Sequence, residues 1–172
     1  MQSQFSHHEF VQPHLSKDQL DLLDYKLNLA RELGAPHVVR AHESEPLEAI
    51  LKITEGRGVD YSIEASGKQE AMEMAFLSVR DNGGLCVLIG NLAHGERIAL
   101  DPFNLIKGKR IIGSWGGGTQ PANDIPVYVN QYMNRKLDLS GLVTHEYPLE
   151  HINEAFDHLR QGDVGRILVP MQ

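Results

Sequence analysis

Apolar positions recur along this chain in two rhythms, steps of three to four residues and short continuous runs. Leu20, Leu23, Leu27 and Ala30 fall at steps of three and four, which gathers side chains on one face of a helix. Ser16 and Gln19 stand ahead of them at capping-box spacing, and Gly34 offers a left-handed stop. A helix is therefore expected from Ser16 to Gly34. The rhythm then changes repeatedly. His37 to Arg40 reads as a strand, Pro46 to Thr54 as a helix, Val59 to Glu64 as a strand, and Lys68 to Arg80 as a helix facing inward with Met72, Ala75, Phe76 and Val79. Leu85 to Ile89 is continuously apolar, as in a strand buried on both faces. A helical turn at Asp101 to Ile106 precedes a strand at Arg110 to Trp115 and a helix at Asn123 to Lys136. An extended stretch at Val143 to Tyr147, a helix at Glu150 to Arg160 and a strand at Arg166 to Val169 close the chain. Such alternation predicts an α/β fold, a mostly parallel, doubly wound sheet with helices on both faces.

Residues 1–15 share neither rhythm. They carry His7, His8, His14, Pro13 and three glutamines, and are expected to form a flexible arm. At 172 residues the chain is long enough for one domain with its own core. A formal charge of −7 disfavours nucleic acid and anionic membrane as partners. No apolar run approaches the ~20 residues that span a bilayer, and the N-terminus lacks the basic start of a signal peptide. A cytoplasmic location is expected. The single cysteine, Cys86, excludes an internal disulfide and a multi-thiolate zinc site within the chain.

In parallel α/β sheets ligands sit beyond the carboxyl ends of the strands. Three of those ends are punctuated alike: Glu64-Ala65-Ser66-Gly67, Ile89-Gly90-Asn91 and Ser114-Trp115-Gly116-Gly117-Gly118. Small residues there admit a ligand to the backbone, although βα turns need glycine in any case. No G-x-G-x-x-G is present, and Gly116-Gly117-Gly118 runs into Thr119-Gln120-Pro121 rather than a helix start. The nine histidines suggest metal. His151 and His158, however, lie two helical turns apart, about 10.5 Å, too far for one ion. Solvated surface histidines are the simpler expectation. Cys86 reads as an inert buried thiol, and no nucleophile elbow exists. Arg166, beside Gly165, could meet a phosphate.

The order of these motifs resembles the cofactor-domain part of the zinc-type medium-chain alcohol dehydrogenases. Asp21-Leu22-Leu23-Asp24-Tyr25-Lys26-Leu27, leading to Ala30-Arg31-Glu32-Leu33-Gly34-Ala35, looks like the stretch after that family's second Rossmann strand. Gly58 to Gly67 resembles the fourth strand, Gly83 to Gly90 the fifth and Lys109 to Gly117 the sixth. Leu142-Val143-Thr144-His145, Ile152 to Phe156 and Gly165-Arg166 resemble the return toward the catalytic domain. The likeness covers residues 21 to 170 and is nearest in character to the class III, glutathione-dependent formaldehyde dehydrogenase-like branch. It divides the chain into the arm, a partial nucleotide-binding domain at 16–140 and a strand-helix-strand at 141–172.

The resemblance implies weakly held NAD as cofactor. Asp21 would take the adenosine ribose hydroxyls with Lys26 beside them, and Arg166 the pyrophosphate. Ala65, Ser66, Gly90, Asn91, Ser114, Trp115 and Gly116 would line the path from adenine to nicotinamide. Zinc would belong to the GroES-like half, which this sequence does not contain; no catalytic residue is implied here, and stand-alone dehydrogenase activity is not expected. Leu15 to Leu20 reads as helix where the family has a strand, so the sheet is expected to lack its first two strands. Open edges attract partners, and the resemblance implies that Arg110 to Trp115 is the dimer edge, so a homodimer through that strand is expected. A separately encoded N-terminal half is the other candidate partner, and a dimeric interaction module that no longer binds nucleotide the other candidate role.

Overall fold

The computed structural model describes residues 18–42, 45–162 and 164–171. The expected arm at 1–15 and the Ser16 cap lie outside them. The chain forms two compact units, Met1–Ser44 and Glu45–Gln172.

The first unit is a strand-helix-strand. Strand β1, Gln19–Asp21, pairs in parallel with β2, Val38–Arg40, matching Leu20 to Val39 and Asp21 to Arg40. Helix α1, Asp24–Glu32, joins them. The helix expected from Ser16 is corrected here, because residues 19–21 are strand and the helix starts at Asp24. Leu20 and Leu23 fit a helical period, but the Leu20 backbone is committed to the ladder and Leu23 is the extended N-cap residue. Tertiary pairing overrides local spacing here. The expectation that this strand is lost falls with it. Asp24 in the first turn and Arg31 in the last suit the helix dipole. Gly34, at φ +93°, takes the chain out of the helix in a conformation costly for other residues. Leu27 and Val39 are buried.

The second unit opens with helix α2, Pro46–Ile53, and builds a three-stranded parallel sheet from β3, Tyr61–Glu64, β4, Leu85–Leu88, and β5, Arg110–Gly113, with β4 central. Helix α3, Gln69–Ser78, crosses from β3 to β4 and supplies most of the core. Ala75, Phe76, Val79 and Cys86 are buried together, with Val59, Leu88, Leu100 and Ile111 against them. Fully burying a side chain like Phe76 contributes about 1.5–3 kcal/mol. Burial pushes the Cys86 thiol up from its ordinary value, so it is a packing group rather than a nucleophile. Strand β4 is less enclosed than its apolar run suggests. Cys86 alone is fully buried, and Ile89 lies past the strand and is exposed. Alternate residues of a strand face opposite ways, and α3 covers only the Cys86 face.

Helix α4, Pro102–Ile106, is capped by the Asp101 carboxylate on Phe103 N–H. After β5 come a short 3-10 turn, helix α5, Pro121–Met133, and a separate parallel pair, β6, Val143–Glu146, with β7, Arg166–Leu168. Helix α6, Ile152–Gln161, connects that pair. Every strand pairing among the described residues is parallel, and the fold is the expected mixed α/β type. No described helix is long and apolar enough to cross a membrane.

Candidate functional site

The three strands of the larger sheet end level with one another, Glu64 opposite Leu88 and Leu88 opposite Gly113. Their following loops therefore leave from one rim. Ile89 N–H and Gly90 N–H both donate to the Glu64 carbonyl, at 2.9 and 3.1 Å, and Ser114 N–H donates to the Leu88 carbonyl at 2.9 Å. Ala65, Ser66, Gly90, Asn91 and Ser114 are thus gathered where the sequence expects them. Trp115 and Gly116 follow Ser114 on the same rim. Trp115 lies beyond β5 rather than in it, and is 88% exposed.

Two glycines make this rim close-packed. A Cβ on Gly90 would stand 2.3 Å from Gly67 N, and one on Gly67 would stand 2.4 Å from the Asn91 carbonyl oxygen. The β3 and β4 loops touch backbone to backbone, which only glycine allows. Beside that contact opens a cleft of about 600 Å³, lined by Ser66, Gly67, Lys68, Gln69 and Glu70 on one side and Asn91, Leu92, Ala93 and Glu96 on the other. The first turn of α3 borders it and presents backbone N–H groups that have no partner within the helix. Glu73 fastens the outer loop, since its Oε1 accepts from Ala99 N–H at 2.7 Å and from Gln69 at 3.0 Å. The Ala99 bond, then the Gln69 bond, hold the Glu73 carboxyl below its ordinary value.

Glu64 is the residue that sequence reasoning passes over. It ends β3 as the start of a turn, yet it is only 4% exposed. Its Oε1 accepts from Ser66 N–H at 2.6 Å, Ser66 Oγ–H at 2.5 Å and Gly67 N–H at 3.0 Å. Its Oε2 is buried with no partner. An acidic residue closing a buried strand ahead of Ala-Ser-Gly is the signal that could have found it.

In the first unit, Asp21 sits at the carboxyl end of β1. Its Oδ1 accepts from Leu22 N–H at 2.8 Å and Leu23 N–H at 3.0 Å, the turn that leads into α1. Lys26, one turn into that helix, lies 5.9 Å from the Tyr25 ring centroid. Arg166 opens β7, paired with Val143, in a different sheet from the cleft, which it does not line.

The described residues hold no group of three or more His, Cys, Asp or Glu side chains placed to share a metal ion. His158 Nδ1 lies 2.6 Å from the Tyr147 hydroxyl, and the His145 ring meets His158 edge-on at 5.8 Å. His151 turns instead to Glu154. These donors do not fit a zinc centre of three or four ligands. Gly67 and Gly90 are taken up in packing the two loops together. The cleft beside them offers the Ser66 and Asn91 side chains and the N-terminal N–H groups of α3, which suit the hydroxyls and phosphates of a nucleotide, with Glu70 and Glu96 as acidic neighbours.

Residues 20–133 match the family described as zinc-binding dehydrogenase. Alcohol dehydrogenase 1 of Petunia hybrida is 33% identical over 89% of this chain and 41% of its own length. Alcohol dehydrogenase-like 5 of Arabidopsis thaliana is 36% identical over 88% of this chain and 40% of its own. Among solved structures, benzyl alcohol dehydrogenase from Acinetobacter calcoaceticus superposes with a TM-score of 0.84 at 28% identity, covering 90% of this chain and 42% of that one. This chain thus spans about 40% of the length of the curated relatives it matches.

Proposed function

We propose, from the premise that this chain belongs to the zinc-binding dehydrogenase family, that it is an NAD-binding unit of an alcohol dehydrogenase-like oxidoreductase and does not oxidise alcohols alone. The observation that carries this is the level rim of β3, β4 and β5, where Gly67 and Gly90 bring two loops into backbone contact. NAD, when bound, supplies hydride acceptance. The chain's own residues bind and orient it. In the second unit, Ser66 and Asn91 offer polar groups in the cleft, and Ala65, Gly90, Ser114, Trp115 and Gly116 are assigned to the cofactor path on the motif resemblance. Asp21 is proposed for ribose hydroxyls, with Lys26 beside them, on the motif resemblance alone. Arg166 is proposed for the pyrophosphate on the motif resemblance alone. The placement nearest the class III branch rests on the overall motif resemblance, and a cytoplasmic location is part of the same proposal.

Calorimetric titration with NAD⁺ and with ADP-ribose, each with and without zinc, tests this. Binding of both at roughly micromolar to millimolar concentration, indifferent to zinc, is the expected result. No heat from either at millimolar ligand overturns it.

Two further roles are part of the proposal. The sheet order leaves one edge of β5 unpaired among the described residues, with Ile112 and Trp115 exposed beside it. That favours a homodimer through Arg110 to Trp115, visible as a doubled mass in sedimentation. A separately encoded N-terminal half is the other proposed partner, on the motif resemblance alone. Zinc-dependent activity on co-expression with such a half would establish it, and its failure to appear would remove it.

A further inference from the structure

We infer that Glu64 is the positioning residue of the cleft, a buried carboxylate that sets the two loops in the geometry nucleotide requires; the inference rests on the nucleotide-binding role proposed above. A strand end that only had to turn could use a small polar residue in solvent. This chain instead places a carboxylate out of water, where desolvation is costly unless hydrogen bonds offset it. The return is concentrated on one oxygen. Oε1 gathers both donors of Ser66 and the N–H of Gly67, so three bonds fix the conformation of the loop that forms one wall. Hydrogen bonds to a charged acceptor are about twice as strong as neutral ones.

The same residue reaches the other wall. Its carbonyl oxygen accepts from Ile89 and Gly90 N–H, and its Oε2 lies against Gly90, 2.6 Å from where a Cβ there would stand. One residue therefore spaces both loops, the first through its side chain and the second through its backbone and its unpartnered oxygen. A buried polar atom without a partner is uncommon enough to need a reason. Here Oε2 fills the room that Gly90 leaves by having no side chain. Removing the carboxylate frees the Ser66 and Gly67 donors and opens that space, so both walls lose their reference point. A pre-set cleft binds more tightly because the ordering cost is met before the ligand arrives.

Glu64→Ala and Glu64→Gln, titrated with ADP-ribose well below each variant's melting temperature, test this, with amide hydrogen exchange followed in the ligand-free proteins. Glu64→Ala should weaken ADP-ribose binding about tenfold or more. Glu64→Gln, which keeps an acceptor of the same reach, should recover to within about threefold of the parent. Exchange at Ser66 and Gly67 should rise about tenfold in Glu64→Ala and stay near parental in the central strand Leu85–Leu88. A residue that served stability alone would lower both melting temperatures and leave the affinity of the folded protein unchanged. Affinity within twofold of the parent in Glu64→Ala, or unchanged exchange at Ser66 and Gly67, overturns the inference. If the parent binds no ADP-ribose, the nucleotide role fails first, and unchanged Ser66 and Gly67 exchange would overturn the bracing as well. Should Glu64→Ala not fold, the test passes to the comparison of Glu64→Gln with Glu64→Asp, which draws the carboxylate back by one methylene from Ser66 and Gly67. Glu64→Asp should weaken binding and raise exchange at both residues, and parental values of both in Glu64→Asp overturn the inference.

Discussion

Helices α3 and α5 belong to the same unit and carry similar apolar spacing, yet they meet different fates. Helix α3 buries Met72, Ala75, Phe76 and Ser78. Helix α5 is three residues longer and buries none; Ile125, Val129 and Met133 are 54% exposed or more. The period of an amphipathic stretch says which residues want cover. Whether the cover lies in the same chain is decided by topology. Helix α3 crosses between adjacent parallel strands and must lie on their face, whereas α5 leads away to the separate β6 and β7 pair.

The largest expected effect comes from removing what α3 buries. Phe76 is fully enclosed, so Phe76→Ala should cost about 3–5 kcal/mol in chemical denaturation. A loss under about 1 kcal/mol would mean that the α3 interface is loose, and the contrast with α5 would collapse.

A smaller effect is expected at the start of α3, where the rim is tight. In Gly90→Ala the new Cβ would fall 2.3 Å from Gly67 N and 2.6 Å from Glu64 Oε2. Backbone is the nearest obstacle, so the two loops must part. Overpacking of this kind costs about 1–3 kcal/mol, and thermal melts should show it. A neutral outcome would show that the loops separate freely and that α3 is anchored by its core alone.

Just past the other end of α3, Arg80 donates through Nε to Asp60 at 2.5 Å, and Arg57 stands 3.2 Å from the same oxygen. The Arg80 bond, ahead of the opposing effect of burial, holds the Asp60 carboxyl below its ordinary value. The stabilisation is present above the unfolded-state pKa of about 3.9. It is lost as pH falls through the lower folded-state value. Because the Asp60 side chain is 40% exposed, solvent screening limits the gain to about 1 kcal/mol or less. Asp60→Asn should flatten the acid limb of a stability profile measured from pH 7 downward and change little else. An unchanged acid limb would remove this clamp from the account of α3.

Much of this architecture was legible in the sequence where local pattern and tertiary pairing agree. The α3 face, the β3–β4–β5 succession and the three punctuated strand ends all follow from spacing, because a crossover helix and its strands are close in sequence. The reading failed at Gln19–Asp21. A ladder to residues some twenty positions away outweighed a helical period that Leu20 and Leu23 satisfied by coincidence. It also missed Glu64, since a charged residue at a strand end looks solvated until three donors are found around one oxygen. The exposure of α5 was not legible for a different reason: periodicity is silent about a partner surface.

The smallest effect belongs to α5 and would sharpen the contrast most. Met133 is 72% exposed at the last turn of that helix, so Met133→Ser removes almost no buried contact. Its cost should stay within about 0.5 kcal/mol in the dilute protein. The measurement that matters is the same denaturation repeated over a hundredfold range of protein concentration. A cost that stays near zero throughout leaves α5 as an uncovered face. A cost that grows with concentration would mean that a second copy covers the helix, because only an associated state is stabilised by mass action. Helices α3 and α5 would then differ in which chain supplies the cover, rather than in whether cover exists.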